Sequence, residues 1–217
     1  MNITVDNYLK NNCNVSIGYI TYTTNVVNTN NELWNYIDIV INNINKKYTL
    51  DNMKEQINIK TTRLAYKKIG KDPSRYRVSS EALIRRILQG KGLYKINNVV
   101  DTNNLISIET GYSVGSYDMK NIKGDIIFRI GKEGEKYQGI GKEMINIENL
   151  PVFCDDIGPY GSPTSDSTRA MVIDNSKEIL TTIISFNGKE DLLEFLELAK
   201  NYIVKYTNAE IISSGII

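Results

Sequence analysis

Residues 96–130 read INNVVDTNNLISIETGYSVGSYDMKNIKGDIIFRI, and the rest of the chain falls into place around them. Asn97, Asn98, Asp101, Asn103 and Asn104 crowd the front of the stretch. The Asp101 carboxylate can cap the amides of TNNLISIETG, which predicts a helix after Asp101, and beyond Gly111 the texture changes to short apolar runs. Tyr117 and Asp118 then read as a turn, and the apolar run at 125–130 reads as a strand. Upstream the pattern is mostly helical. Leu33, Trp34, Ile37, Ile41 and Ile44 recur at three- and four-residue spacings behind Asn30 or Asn31, a second helix spans about 50–69, and a third runs from Ser79 or Ser80 to Gly90. A strand at 15–27 precedes them. Downstream, 143–147, 151–155, 170–174 and 179–186 read as strands, and a closing helix runs from Lys189 to about Tyr206. Helices first and strands later argue for an α+β class, one domain over 1–217 with a helical N-terminal region.

Composition limits the chemistry. The chain has 217 residues, two cysteines and no histidine. Imidazole bases, Ser-His or Cys-His pairs and His-ligated zinc are excluded. Cys13 and Cys154 lack metal-site spacing and read as reduced thiols, so a cytoplasmic protein is expected, without a membrane span, bound metal or cofactor. The formal charge of +1 is unevenly spread. Between Lys60 and Lys95 lie eleven basic residues against Asp72 and Glu81, a +9 window that leaves −8 elsewhere. Two readings stand side by side: a footprint for a phosphate backbone, or a solvated face paired with acids brought in by the fold.

The other unusual stretch is DDIGPYGSPTSDSTRAM, residues 155–171. Gly and Pro shape a loop here, and Ser162, Thr164, Ser165, Asp166, Ser167 and Arg169 fill it with donors and acceptors. Such a loop can bind an amino group, a hydroxyl or a phosphate. It can equally be a connection held by its own Ser/Thr turns. No phosphate-binding GxxxxGK[ST] sequence occurs, YQGIGKEM reads as a tight turn, and Ser165-Asp166-Ser167 has no SxxK companion.

INNVVD with its spacing to the Tyr-Asp pair resembles the INNVVDVTNY and HAFD segments of the B3/B4 domain in the bacterial phenylalanyl-tRNA synthetase beta subunit. SSEALIRRILQGKG is similar to that family's Arg-bearing helix, and residues 161–169 resemble the G-x-P-x-S-D-S-x-R loop of its free-standing members. The likeness is strongest over 75–185. It implies an α+β fold with a barrel-like, six-stranded core and flanking helices, and a pocket that in the synthetase hydrolyses tyrosine wrongly esterified to phenylalanine tRNA. Two positions depart from the pattern: Gly115 stands where the family has His, and Asn103 where it has Thr.

The implied partner is tRNA or aminoacyl-tRNA, with a free amino acid as the smaller option. Asp166, Asn104 and Ser165 are the candidate catalytic groups. Asn97, Asn98, Asp101, Asn103, Gly115, Tyr117, Ser162, Thr164, Ser167 and Arg169 are the candidate substrate-binding positions. Arg75, Arg77, Arg85, Arg86 and Lys91 are the candidate tRNA contacts. An aminoacyl ester is already activated, so positioned water, backbone amides and the neighbouring ribose hydroxyl are enough for hydrolysis without histidine. Three readings remain open: a deacylase acting in trans, a non-catalytic RNA or amino-acid binding module, and an enzyme on a small amino-acid-like substrate that never meets RNA. For Asp101, Asp118 and the Asn pair, purely structural roles as cap, turn former and loop clamp stand beside the binding ones.

Overall fold

A computed structural model describes residues 2–141 and 143–217. The chain begins with β1 (Ile3–Val5), α1 (Asn7–Asn12) and β2 (Ser16–Thr23), then runs through α2 (Asn31–Lys47), α3 (Ile57–Lys68), α4 (Ser79–Leu88) and α5 (Asn98–Thr110). Among the described residues there follow β3 (Ser113–Asp118), β4 (Ile126–Ile130), β5 (Lys136–Gln138), β6 (Met144–Asn146), β7 (Pro151–Cys154), β8 (Pro159–Gly161), β9 (Glu178–Ser185), α6 (Leu192–Thr207) and β10 (Glu210–Ile216).

The strands form two four-stranded sheets, β1-β4-β7-β8 and β10-β2-β9-β3, and a separate β5-β6 hairpin. Only β1 and β4 pair in parallel among the described strands. Phe128, Val152, Phe153 and Tyr160 of the first sheet meet Ile17, Tyr117, Leu180 and Ile184 of the second in one buried cluster, so the sheets pack face to face. On its other face the second sheet carries α5 and α6, through Ile20, Tyr22, Ile179 and Ile183 against Ile106, Leu196 and Ile203. A third cluster seats α2 and α4 on the outer side of α5.

This layering explains what sequence patterning hid. β9 is covered on both faces, so EILTTIIS is buried from Ile179 onward and shows no alternation. α5 is likewise covered on several sides, and its buried Thr102 and Thr110 return their hydroxyls to the carbonyls of Asn98 and Ile106, each at 2.7 Å.

Several expectations are corrected. The described strands make two separate sheets and a hairpin, not a closed barrel. The N-terminal region is not simply helical, because β1 and β2 each join a sheet. The predicted turn at Tyr117 and Asp118 is the end of strand β3, held by register against β9. The predicted strand at 170–174 is a 3-10 turn, Thr168–Ala170, followed by a lone bridge from Met171 to Tyr117. β1, α1, β5, β8 and β10 escape sequence reading; most are too short for a period to register. Asp101 is not the cap of α5. Asn97 is, accepting from the Val100 amide at 2.9 Å, and Gly111 closes the helix at φ +77°. Among the described residues no helix is long and apolar enough to cross a membrane. Cys13 and Cys154 are both free and buried, and burial pushes the Cys154 thiol up to about 11.

Candidate functional site

A half-enclosed cavity of about 350 Å³ opens between the start of α4, one face of α5, β3 and the 159–172 loop. On α5, Val100, Asn103, Asn104 and Ser107 line it, the i, i+3, i+4, i+7 stripe that a helix turns toward one neighbour. Ser79 and Leu83 face it from α4, and Val114 and Ser116 from β3. Asp166 sets the one carboxylate among the described lining residues, across from apolar walls that include Ile140, Met171 and Val172.

Each polar group in this wall has a defined setting. Asn103 ties α5 to β3, its Nδ2 donating to the Val114 carbonyl and its Oδ1 accepting from Ser116 Oγ, both at 3.0 Å. Ser116 Oγ lies 2.8 Å from Thr181 Oγ1, which lies 3.2 Å from the Tyr22 hydroxyl. Burial raises that phenol to about 12 and keeps it protonated at the inner end of the chain. Ser107 is 1 % exposed, and its Oγ has no hydrogen-bond partner among the described residues. A buried hydroxyl facing a cavity without a partner is one that a bound molecule can satisfy.

The loop is held by buried tyrosines. The Tyr117 hydroxyl donates to Asp166 Oδ1 at 2.9 Å, and the Ser162 amide donates to the same oxygen at 3.1 Å. Tyr66 lies 3.0 Å from Thr164 Oγ1, and Tyr137 donates to the Ser165 carbonyl at 2.5 Å. Burial pushes all three phenols above their ordinary range, and for Tyr117 the neighbouring Asp166 charge adds to the rise. They therefore keep their protons at any physiological pH. The Ser79 amide donates to the Pro163 carbonyl at 2.7 Å, and the Ile140 amide to the Asp166 carbonyl at 3.1 Å, which pins the loop to α4 and to the hairpin.

The family model of the B3/4 domain matches residues 61–211. The chain belongs to the B3/4 domain family. Its curated relatives include the phenylalanine–tRNA ligase beta subunit of Aquifex aeolicus, 30 % identical over 110 residues, covering 50 % of this chain and 14 % of that one. The same subunit of Bartonella quintana is 37 % identical over 99 residues, covering 41 % and 12 %. That of Protochlamydia amoebophila is 28 % identical over 148 residues, covering 62 % and 18 %. The chain thus matches less than a fifth of the length of these relatives. Among solved structures, an N-terminal fragment of the phenylalanyl-tRNA synthetase beta subunit from Pyrococcus horikoshii aligns with 97 % of the chain and 50 % of that fragment, at a TM-score of 0.47 and 13 % identity.

Within this B3/4 domain, the structure gathers only some of the positions singled out by sequence. Asn103, Asn104 and Asp166 share the cavity. Gly115 does not line it. It lies on the opposite face of β3 from Val114 and Ser116, in the space under the Tyr117 ring. Tyr117 itself is in the core between the sheets and reaches the site only through Asp166. Asn97, Asn98 and Asp101 serve the backbone: Asn98 accepts from the Val27 amide and donates to the Asn25 carbonyl, both at 3.0 Å, and Asp101 holds Thr29, Trp34 and the Ile96 amide. Asp118 accepts from Ser176 Oγ at 2.7 Å and caps the turn at Lys120. Ser162 and Ser167 close turns inside the loop, Thr164 faces Tyr66, and Ser165 is engaged through its carbonyl. Arg169 grips Asp155 with two nitrogens, at 2.8 and 3.0 Å, and donates to the carbonyls of Asn121 and Gly158. Ser107, Ser116, Tyr66 and Tyr137 had no signal in the sequence, because sheet pairing and loop return bring them together.

The basic window is divided. Arg63 and Arg77 converge on buried Glu81 at 2.9 and 3.3 Å, and Lys60 pairs with Glu55. Arg75, Arg85, Arg86 and Lys91 have no carboxylate partner among the described residues.

Asp155 yields a pH prediction. Its side chain is fully buried, and burial is the largest influence on it, pushing the carboxyl up; Arg169 and the amides of Lys123 and Gly158 outweigh that and hold it low. The folded state therefore binds this proton less tightly than the unfolded chain does. The stabilisation is complete above the unfolded carboxylate value of about 3.9 and disappears as pH falls through the lower folded value. Asp155→Asn is expected to melt lower at pH 7 and to show a shallower loss of Tm between pH 5 and pH 2.5, read by circular dichroism. Parallel Tm-pH curves for the two proteins would contradict it.

Proposed function

We propose that this B3/4 domain binds the aminoacyl end of a tRNA and hydrolyses the ester of a wrongly charged amino acid in trans, in the cytoplasm. The observation that carries the reading is Asp166: a carboxylate held from behind by Tyr117 and the Ser162 amide, at the edge of a cavity with apolar walls. An amino acid needs that pairing of features, an anion for its ammonium and an apolar recess for its side chain. Here Asp166 takes the ammonium, and Leu83, Val100 and Val172 receive the side chain. Asn104 donates to the ester carbonyl oxygen as negative charge builds there. Water adds to the carbonyl carbon, the ribose oxygen leaves with a proton, and free amino acid and tRNA are released. Ser165 supports this site by fixing the loop that carries Asp166. The names of the relatives support tRNA as the carrier, and the unpaired cations Arg75, Arg85, Arg86 and Lys91 supply phosphate contacts.

The test is a panel of correctly and wrongly aminoacylated tRNAs incubated with the pure protein. At least one ester is expected to be cleaved faster than in buffer, and Asp166→Asn to slow that cleavage about tenfold or more through the lost charged hydrogen bond. Binding without cleavage of any ester would leave a non-catalytic module. Amino-acid binding untouched by joint reversal of Arg85 and Arg86 to Glu, with no tRNA binding, would leave a small-molecule site.

A further inference from the structure

We infer that Tyr94, on a segment that forms part of the cavity wall, is a stacking platform for an unpaired nucleotide. This rests on the RNA-binding reading above and adds the residue that would engage a single-stranded end. Residues 91–96, KGLYKI, form the irregular connection between α4 and α5, the two helices that wall the cavity. The segment is anchored at both ends. Arg86 Nη2 donates to the Lys91 carbonyl at 3.3 Å, and the Ile96 amide donates to Asp101 at 3.0 Å. Leu93 packs inward against the α2/α4 cluster, so the next side chain is turned out.

That side chain is Tyr94, at 64 % the most exposed of the large hydrophobic residues among those described. It is not loose. The Arg86 guanidinium carbon sits 4.0 Å from the ring centroid and covers one face, and the exposure leaves the other face to solvent. Two residues on, Ile96 is 54 % exposed and lines the cavity, so the segment that carries the ring also forms part of the cavity wall.

The electrostatics select the occupant. The sequence has no Asp or Glu from Ala82 to Val100, and no ion pair joins Arg85, Arg86, Lys91 or Lys95 to a carboxylate among the described residues. Its flanking acids are spent inside the fold, Glu81 on Arg63 and Arg77, and Asp101 on Trp34 and Thr29. A held aromatic face flanked by cations that make no ion pair among the described residues matches a base with its phosphates, and fits a neutral apolar peptide poorly.

The experiment is fluorescence anisotropy with two RNA hairpins that share a stem, one ending in a four-nucleotide unpaired 3′ strand and one blunt. The wild-type protein is expected to prefer the overhang by about tenfold, within the range of one stacked base. Tyr94→Ala should remove that preference and leave blunt-hairpin affinity unchanged, whereas Tyr94→Phe should keep it; thermal melting checks that both variants fold. A Tyr94→Ala protein that still prefers the overhang overturns the inference. Equal binding of both hairpins by the wild type also overturns it while leaving RNA binding intact, and binding of neither removes the RNA reading together with the platform.

Discussion

Gly161→Ala is expected to lower stability by about 3 kcal/mol, at the upper end of what overpacking a core costs. A Cβ at this position would lie 2.3 Å from the Tyr117 hydroxyl oxygen and 2.6 Å from Cζ. The ring has nowhere to retreat. It is 1 % exposed, edge-on to Tyr160 at 5.0 Å and to Phe153 at 6.1 Å, and its hydroxyl is committed to Asp166. Gly115→Ala meets the same group from the other side, with Oη at 2.4 Å, Cζ at 2.8 Å and the next ring carbon at 3.2 Å. At 115 the hydroxyl is the main obstacle, whereas at 161 the ring itself intrudes. Adding Tyr117→Phe should therefore rescue Gly115→Ala more fully than Gly161→Ala. Urea denaturation of the single and double variants reads this as a difference in coupling. Equal rescue at both positions, or wild-type stability for Gly161→Ala, would show that the cradle yields.

The cradle also explains the departure at 115. A tyrosine hydroxyl at 117 and any side chain at 115 compete for one space, so the histidine of the HAFD pattern, where Phe stands two positions on, does not fit this backbone with Tyr117 in place. The hydroxyl that takes the space is the one that holds Asp166.

Asp101→Ala is expected to cost about 4 kcal/mol, because it strands several buried donors at once. Asp101 is 1 % exposed and accepts from Thr29 Oγ1, the Trp34 indole at 3.0 Å and the Ile96 amide at 3.0 Å. It joins the 29–34 segment to α5 and fixes the end of the 91–96 connection. Asp101→Asn keeps one acceptor oxygen and should fall between the two. Trp34 is the sole tryptophan, so its emission reports the loss directly in a denaturant titration. Burial raises the Asp101 carboxyl against the pull of its hydrogen bonds and of Lys95. Its folded form thus holds a proton more tightly than the unfolded chain does, and its contribution weakens as pH rises through the carboxylate range, opposite in slope to Asp155. Wild-type emission and stability in Asp101→Ala would refute the clamp.

Local signals carried much of the architecture. Helices α2, α4 and α6 follow from three- and four-residue spacing, an Asn cap of α2 at 30 or 31 from its side-chain chemistry, of which the structure uses Asn30, and the Gly90 stop from its freedom to take positive φ. The resemblance over 75–185 drew attention to Asn103, Asn104 and Asp166, which do share a cavity. It also marked Asn97, Asn98 and Asp101 as binding positions, and there the structure gives them other partners: Asn97 caps its own helix, and Asn98 and Asp101 turn to the 25–34 segment, away from the cavity stripe.

By itself, then, the sequence determined the class, the longer helices, the absence of histidine chemistry and the family. Tertiary structure alone decided which polar residues face a common space. Every hydroxyl and amide in 96–118 and 155–171 looks alike along the chain. The register of β3 on β9 turns Ser116 toward α5 and Gly115 away from it, and the return of the loop across Tyr66, Tyr117 and Tyr137 sets Asp166 at the cavity. Those pairings join residues far apart in sequence, and no local period records them.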